Sequence, residues 1–162
     1  MIKAMTKVFD VFRSELQTYA DRGIFQNLSC NNLGDKVSEF KFHWMTDKQF
    51  SLRLNVTRHE LELRNILPSV PYRSDMDSAF RGFLLSRCAE NIPVHRRLDG
   101  KRLSIKVKNK NGDVSVLIGF SEVDSRLAVK TSINLLHEVF NNFLVEGPYQ
   151  NYMVEVFNLP EE

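Results

Sequence analysis

Hydrophobic and polar residues alternate almost without interruption through "VSEFKFHWMTDKQFSLRLNVTRHELEL", residues 37–63. The alternation has the period of two that is typical of a β-strand with one buried face. Polar interruptions at 46–48 and 57–59 divide the stretch into three strands. Because connections this short join only strands that run in opposite directions, the pattern predicts an antiparallel meander with one apolar face and one polar face.

Three further stretches carry apolar residues at spacings of three and four, which indicates amphipathic helices. The first stretch ends at Gly23, which is free to take the positive φ that commonly follows a last helical turn. The second begins at 74–75 and the third at 124–125, where a serine or an aspartate is available as a helix cap. The pair Gly147-Pro148 is expected to end the third helix.

A second alternating pattern, "LSIKVKNKNGDVSVLIGF", is centred on Asn111-Gly112, a dipeptide that favours tight hairpin turns. The predicted order is therefore α-β-β-β-α-β-β-α followed by a C-terminal tail. This order predicts a single α+β domain over residues 1–147, an antiparallel sheet with the helices packed on one face. Residues 148–162 are expected to form a short tail, which could be a strand, a helical turn or a disordered arm and could pack on the domain or on a partner subunit.

Composition narrows the class of protein without naming a function. The chain has 162 residues, of which 43% are hydrophobic, and a net charge of +2. These values are ordinary for one globular domain, and the charge is too small to imply nucleic acid or a membrane surface. No apolar run is long enough to span a bilayer, and the N-terminus lacks the apolar core of a signal peptide. A cytoplasmic location without a membrane partner is the expectation.

The sequence contains no motif that carries catalysis. Its four histidines lack metal-ligand spacing, and its two cysteines are too far apart for a zinc site or a disulfide framework. Neither a nucleophilic serine motif nor a phosphate-binding loop occurs. We therefore expect a protein that is not an enzyme and has no catalytic residues, metal ligands or cofactor. An enzyme whose site is assembled from distant residues is the remaining alternative.

Basic residues cluster between His95 and Lys110, where Asp99 is the single acidic residue. Two interpretations fit this cluster. It could contact a phosphate backbone as part of a nucleic-acid-associated protein. Alternatively, it marks an edge strand whose lysines oppose aggregation, and the absence of aromatic residues for base stacking favours this second interpretation. Under the nucleic-acid hypothesis the phosphate-contacting candidates are Arg96, Arg97, Lys101, Arg102, Lys106, Lys108 and Lys110.

The order of the elements resembles the fold of type III secretion chaperones, and specifically its YbjN-like branch. The resemblance covers residues 2–145 and rests on topology, on the aromatic meander at 40–56, the helix at 75–90 and the strand "NGDVSVLIGF" before a long last helix. Two features depart from the family pattern: the chain is slightly basic where secretion chaperones are usually acidic, and no signature residue occurs.

The resemblance implies a small scaffold, often a homodimer, that binds a segment of another protein without catalysis or cofactor. The expected function is therefore a peptide-binding or protein-binding module with a chaperone or adaptor role. The aromatic face of the meander is expected to be core. The surface that binds the partner segment should therefore be a sheet edge, a helix groove, a dimer interface or the tail. The candidate partner-binding residues of the tail are Tyr149, Tyr152, Val154, Val156 and Phe157.

Overall fold

A computed structural model describes residues 2–44, 48–67, 72–88 and 101–139 of the chain. The predicted tail and the basic residues Arg96 and Arg97 lie outside these described residues. Within them the chain forms three α-helices and six β-strands. In chain order these are α1 (Ile2–Asp21), β1 (Gln26–Asn32), β2 (Val37–Trp44), β3 (Lys48–Asn55), β4 (Glu60–Leu67), α2 (Asp75–Ser86), β5 (Ser104–Lys110), β6 (Asp113–Gly119) and α3 (Ser125–Glu138).

The six strands form one sheet in the order β1-β2-β3-β4-β6-β5, and every neighbouring pair is antiparallel. The α+β class and the antiparallel sheet predicted from the sequence are thereby confirmed. The hairpin of β5 and β6 joins the meander through β6, which pairs with β4. This connection leaves β5 at one edge of the sheet and β1 at the other.

The predicted element order was wrong in one respect, because the meander has four strands rather than three. The additional strand is β1, whose sequence QNLSCNN contains few of the β-branched and aromatic residues that favour strands. It forms because it pairs with β2, placing Cys30 opposite Phe40. Leu28 and Cys30 alternate with polar residues between two turns, which is the one local signal that could have predicted this strand.

The core lies between the apolar face of the sheet and the helices. Phe42 is fully buried there, and its ring centroid lies 4.1 Å from that of Phe25 and 5.8 Å from that of Phe50. Helix α1 covers the same face, where its Phe12 ring lies 5.4 Å from the Phe120 ring. The aromatic face of the meander is therefore core, as predicted. Burying each large apolar side chain contributes about 1.5–3 kcal/mol.

Two of the predicted helix boundaries have the local causes that the sequence indicated, and the predicted capping bond at the start of α3 is absent among the described contacts. Gly23 adopts a φ of +76° just after α1, and its N–H donates to the carbonyl of Ala20. Ser74 is the N-cap of α2, and its Oγ accepts a hydrogen bond from the backbone N–H of Asp77 at 3.2 Å. Asp124 precedes α3 but makes no side-chain capping bond, because its carboxylate binds Arg102 instead. The predicted end of α3 at 147–148 lies outside the described residues.

Candidate functional site

Strand β5 is a regular strand at the edge of the sheet. It pairs with β6 at seven successive positions, from Ser104 opposite Gly119 to Lys110 opposite Asp113, without a bulge. Among the described strands it pairs with β6 alone. Alternate backbone N–H and C=O groups of β5 therefore point away from the sheet, which is the arrangement to which an additional strand can bind.

The opposite edge, β1, is less suited to accept a strand. The register between β1 and β2 shifts between Gln26 and Ser29, and Asn27 adopts a φ of +59°. Such a bulge bends an edge strand and interrupts its row of hydrogen-bonding groups. Of the two edges, β5 is therefore the better platform for an incoming peptide.

A groove of about 1030 Å³ runs along β5 and separates it from the second half of α2. Apolar side chains form most of its wall. Leu84 and Leu103 are buried, whereas Ile105 and Val107 are half-buried. Leu85 stands on the rim with 74% of its surface exposed. The described residues that line the groove are Arg81, Leu84, Leu85, Cys88, Lys101, Arg102, Leu103, Ser104, Ile105, Lys106, Val107, Gly119 and Phe120.

A polar contact joins α2 to β5 beside the groove. The Asn109 side-chain amide of β5 donates to Asp77 Oδ1 at 3.2 Å, and Arg81 Nε donates to Asp77 Oδ2 at 3.0 Å. Burial of the Asp77 carboxylate would raise its pKa, but these bonds and the N–H of Arg73 hold the pKa below its ordinary value. Asp77 is thus an ionised anchor that holds the first turn of α2 against the far end of β5.

The ionisable groups along the groove are predominantly basic. Arg81, Lys101, Arg102 and Lys106 contribute to the wall, and no carboxylate is among its described lining residues. Arg81 and Arg102 are paired with carboxylates just outside the groove, on Asp77 and Asp124. Lys106 has no ion-pair partner among the described residues and is exposed. The groove therefore combines an apolar wall with a basic rim.

The polar face of the sheet, which we call the outer face, carries a charge network whose residues belong to four strands, β2, β3, β4 and β5. Glu39 lies within 3.1 Å of Arg53 Nε, 3.4 Å of Lys41 Nζ and 3.6 Å of Arg64 Nη1. Glu62 continues the network to Arg64 at 3.4 Å and to Lys108 at 3.7 Å. Carboxylates thus neutralise part of the basic charge on this face.

Three of the basic residues predicted to contact phosphate share the outer face of β5. Lys106, Lys108 and Lys110 are exposed there at every second position. Lys108 and Lys110, together with Arg53 and Arg64, line an outer-face cleft of about 340 Å³. Arg102 lies apart from them, because its guanidinium binds Asp124. The edge position that the lysines suggested is confirmed for β5.

The described histidines lie in separate parts of the fold. His43 Nδ1 is 3.1 Å from Asn27 Nδ2 on β1, the His59 ring stacks on Phe120, and the His137 ring stacks on Trp44. Within the described parts of the chain, no three His, Cys, Asp or Glu side chains are grouped as a metal would require.

The two cysteines are also apart, with Cys30 exposed on β1 and Cys88 half-buried beside the groove. Burial raises the pKa of both thiols, and the charge of Arg13 opposes this effect at Cys30. A raised pKa reduces the thiolate fraction, so neither cysteine has the environment of an activated nucleophile.

Sequence reasoning missed several residues that line the groove and the outer cleft. Leu85 lies off the apolar stripe of α2, so its side chain is exposed although it is a leucine. A leucine at a position that the helical pattern leaves exposed was the available signal of a binding surface. Arg53 and Arg64 belong to strands distant in sequence from Lys108, and nothing local indicated that they converge.

Comparison of the chain with family models, with curated proteins and with solved structures found no match. No described helix is long and apolar enough to cross a membrane.

Proposed function

We propose that this protein is a non-enzymatic peptide-binding module that receives an extended segment of another protein at the edge of β5 that pairs with no other described strand. A chaperone or adaptor role, as implied by the resemblance to the YbjN-like branch of the secretion-chaperone fold, follows from such binding. The observation that carries the proposal is a regular, bulge-free edge strand beside a groove with an apolar wall. Backbone hydrogen bonds to the edge supply affinity, and the groove receives alternate side chains.

Leu85 offers the most direct test of the groove. Its side chain is 74% exposed on the rim, so Leu85→Ser should leave stability within about 0.5 kcal/mol of the original. Leu33→Ser is the matched control, because Leu33 is also exposed but lies in the turn between β1 and β2. We expect Leu85→Ser to weaken peptide binding about tenfold and Leu33→Ser to leave it unchanged.

The experiment screens the full chain against a library of labelled extended peptides and maps each bound peptide by amide hydrogen exchange. Binding by strand addition should slow exchange at alternate amides of β5, those that do not bond to β6. Peptides that protect other elements while β5 is unchanged would contradict the proposed site. If no peptide binds and the protein turns over a small substrate, the class of function is wrong.

A further inference from the structure

The lysines of β5 also indicate which peptides the edge accepts. This inference rests on the proposed function and concerns the chemistry of the bound segment. Lys106, Lys108 and Lys110 project from the outer face of β5, while Ile105 and Val107 project toward the groove. An added strand would place its own residues opposite these two sets, in the same alternation.

The outer set is a row of basic groups that nearby carboxylates compensate in part, since Asp113 lies directly opposite Lys110 in the hairpin and lines the outer-face cleft with it. Lys106 and Lys110 have no ion-pair partner among the described residues. Lys108 lies 3.7 Å from Glu62, and its side chain is 51% exposed. In an antiparallel pair, side chains directly opposite on one face interact, and opposite charges stabilise the pair. Carboxylates are therefore the side chains that this face selects.

A second copy of the chain is a poor occupant of the same edge. Antiparallel pairing of two β5 strands about Val107, with their outer faces matched, would place Lys106 opposite Lys108 of the other copy. Like charges directly opposite each other destabilise strand pairing. The same lysines that attract carboxylates thus oppose pairing between copies at this edge.

The side chains of β5 that face the groove determine which residues the other positions of the added strand can carry. Ile105 and Val107 are half-buried, and the groove beside them also contains Leu84 and Leu85. Burial of a polar side chain against such a wall without a hydrogen-bond partner is unfavourable, whereas an apolar side chain gains from leaving water. The positions of the added strand that face the groove are therefore apolar.

We propose that β5 recognises an extended peptide segment in which acidic residues alternate with apolar residues. The acidic residues lie on the outer face against Lys106, Lys108 and Lys110, and the apolar residues enter the groove between β5 and α2. Charge complementarity determines the specificity for one extended peptide over another. The backbone hydrogen bonds to β5 contribute affinity for any extended peptide.

The test measures fluorescence anisotropy of three labelled peptides with the full chain at low salt. The first, GSEVEIEVESG, has the proposed pattern; GSKVKIKVKSG reverses its charge; GSESESESESG keeps the charge and removes the apolar positions. We expect the first peptide to bind at least about tenfold more tightly than the other two, and its affinity to fall as salt is added.

Charge reversal on the protein completes the design. Lys106→Glu with Lys110→Glu should weaken the first peptide about tenfold and strengthen GSKVKIKVKSG by a similar factor. Lys36→Glu with Lys130→Glu is the control, because it makes the same change in net charge at two exposed lysines on other elements. It should alter both affinities by less than about twofold.

The outcomes separate this inference from the proposed function. If both charged peptides bind and protect β5 equally, peptide binding stands and the acidic pattern is wrong. If no peptide protects β5, or if its outward amides are already protected in the free protein, both are wrong. Tighter, lysine-dependent binding of a labelled single-stranded DNA would also overturn the inference and would favour the nucleic-acid hypothesis. Dimerisation that protects the β5 edge would overturn it in favour of a second copy.

Discussion

Replacement of Glu39 by glutamine tests whether the outer-face charge network stabilises the sheet. Glu39 lies on β2, and its side chain is only 8% exposed although it faces solvent. Arg53, Lys41 and Arg64 form ion pairs with it, and Ser51 Oγ donates to Oε2 at 3.2 Å. Burial of the Glu39 carboxylate would raise its pKa, but hydrogen bonds from Arg53 and Ser51 and the charge of Lys41 hold the pKa below its ordinary value.

The expected loss at neutral pH is about 1–2 kcal/mol. A hydrogen bond to a charged group contributes about 1.5–3 kcal/mol, and a neutral amide recovers part of that contribution. The side chains of the three cations are 31% to 40% exposed, so solvent screening reduces the loss further. With a urea dependence of about 2 kcal/mol per molar, the unfolding midpoint should fall by about 0.5–1 M.

The stability difference between the original chain and Glu39→Gln should depend on pH in a defined direction. A carboxylate whose pKa is lower in the folded state stabilises the fold at pH values above its unfolded pKa of about 4.3. That stabilisation is lost as pH falls through the folded-state pKa. The difference between the original chain and Glu39→Gln should therefore be full at pH 7 and should shrink progressively below about pH 4.

Urea unfolding can be followed by the fluorescence of Trp44, the single tryptophan of the chain, which packs against Phe25 and Phe50. Glu60→Gln is the control, because Glu60 faces the same side of the sheet and has no ion-pair partner among the described residues. Its effect should stay within about 0.5 kcal/mol. A loss for Glu39→Gln that is absent at pH 7, or equally large at pH 3, would refute the reasoning.

Two further predictions concern the core and the hairpin. Phe42→Ala removes the middle ring of a buried aromatic stack and should lower the free energy of unfolding by about 3–5 kcal/mol, and Phe42→Leu should cost clearly less. Gly112→Ala should cost about 1–2 kcal/mol, because Gly112 has a φ of +93° that a Cβ disfavours. Gly82→Ala on α2 is its control, since a Cβ there meets nothing within 4 Å and should stabilise the helix by about 0.5–1 kcal/mol. Urea midpoints measure all four variants, and a Gly112→Ala chain as stable as the original would contradict the turn argument.

The parts of the fold that the sequence predicted are those determined by local periodicity. Strands β2, β3 and β4 alternate strongly because one face of each is core, and Asn111-Gly112 marks the turn between β5 and β6. Strand β1 carries only a weak alternation because most of its residues are exposed. Its existence depends on hydrogen bonds to β2 rather than on burial of its own side chains.

The candidate site could be predicted only in part, because some of its features depend on contacts between residues that are distant in sequence. The lysines of β5 indicated an edge strand, and the strand order confirms that position. The groove depends on α2 lying beside β5, where Asp77 meets Asn109 across 32 residues of sequence. No local pattern reports a contact of that range, so the apolar wall and its exposed Leu85 became visible only in the structure.

The basic edge reconciles two interpretations that the sequence left opposed. Lysines on an edge strand were explained either as protection against aggregation or as contacts for an anionic partner. On β5 both follow from one geometry, because opposite positions of paired strands face the same side. Under the proposal, the row that opposes pairing with a second β5 attracts a strand bearing carboxylates. An edge strand that carries a row of one charge is therefore expected to disfavour pairing with its own copies and to favour strands of opposite charge.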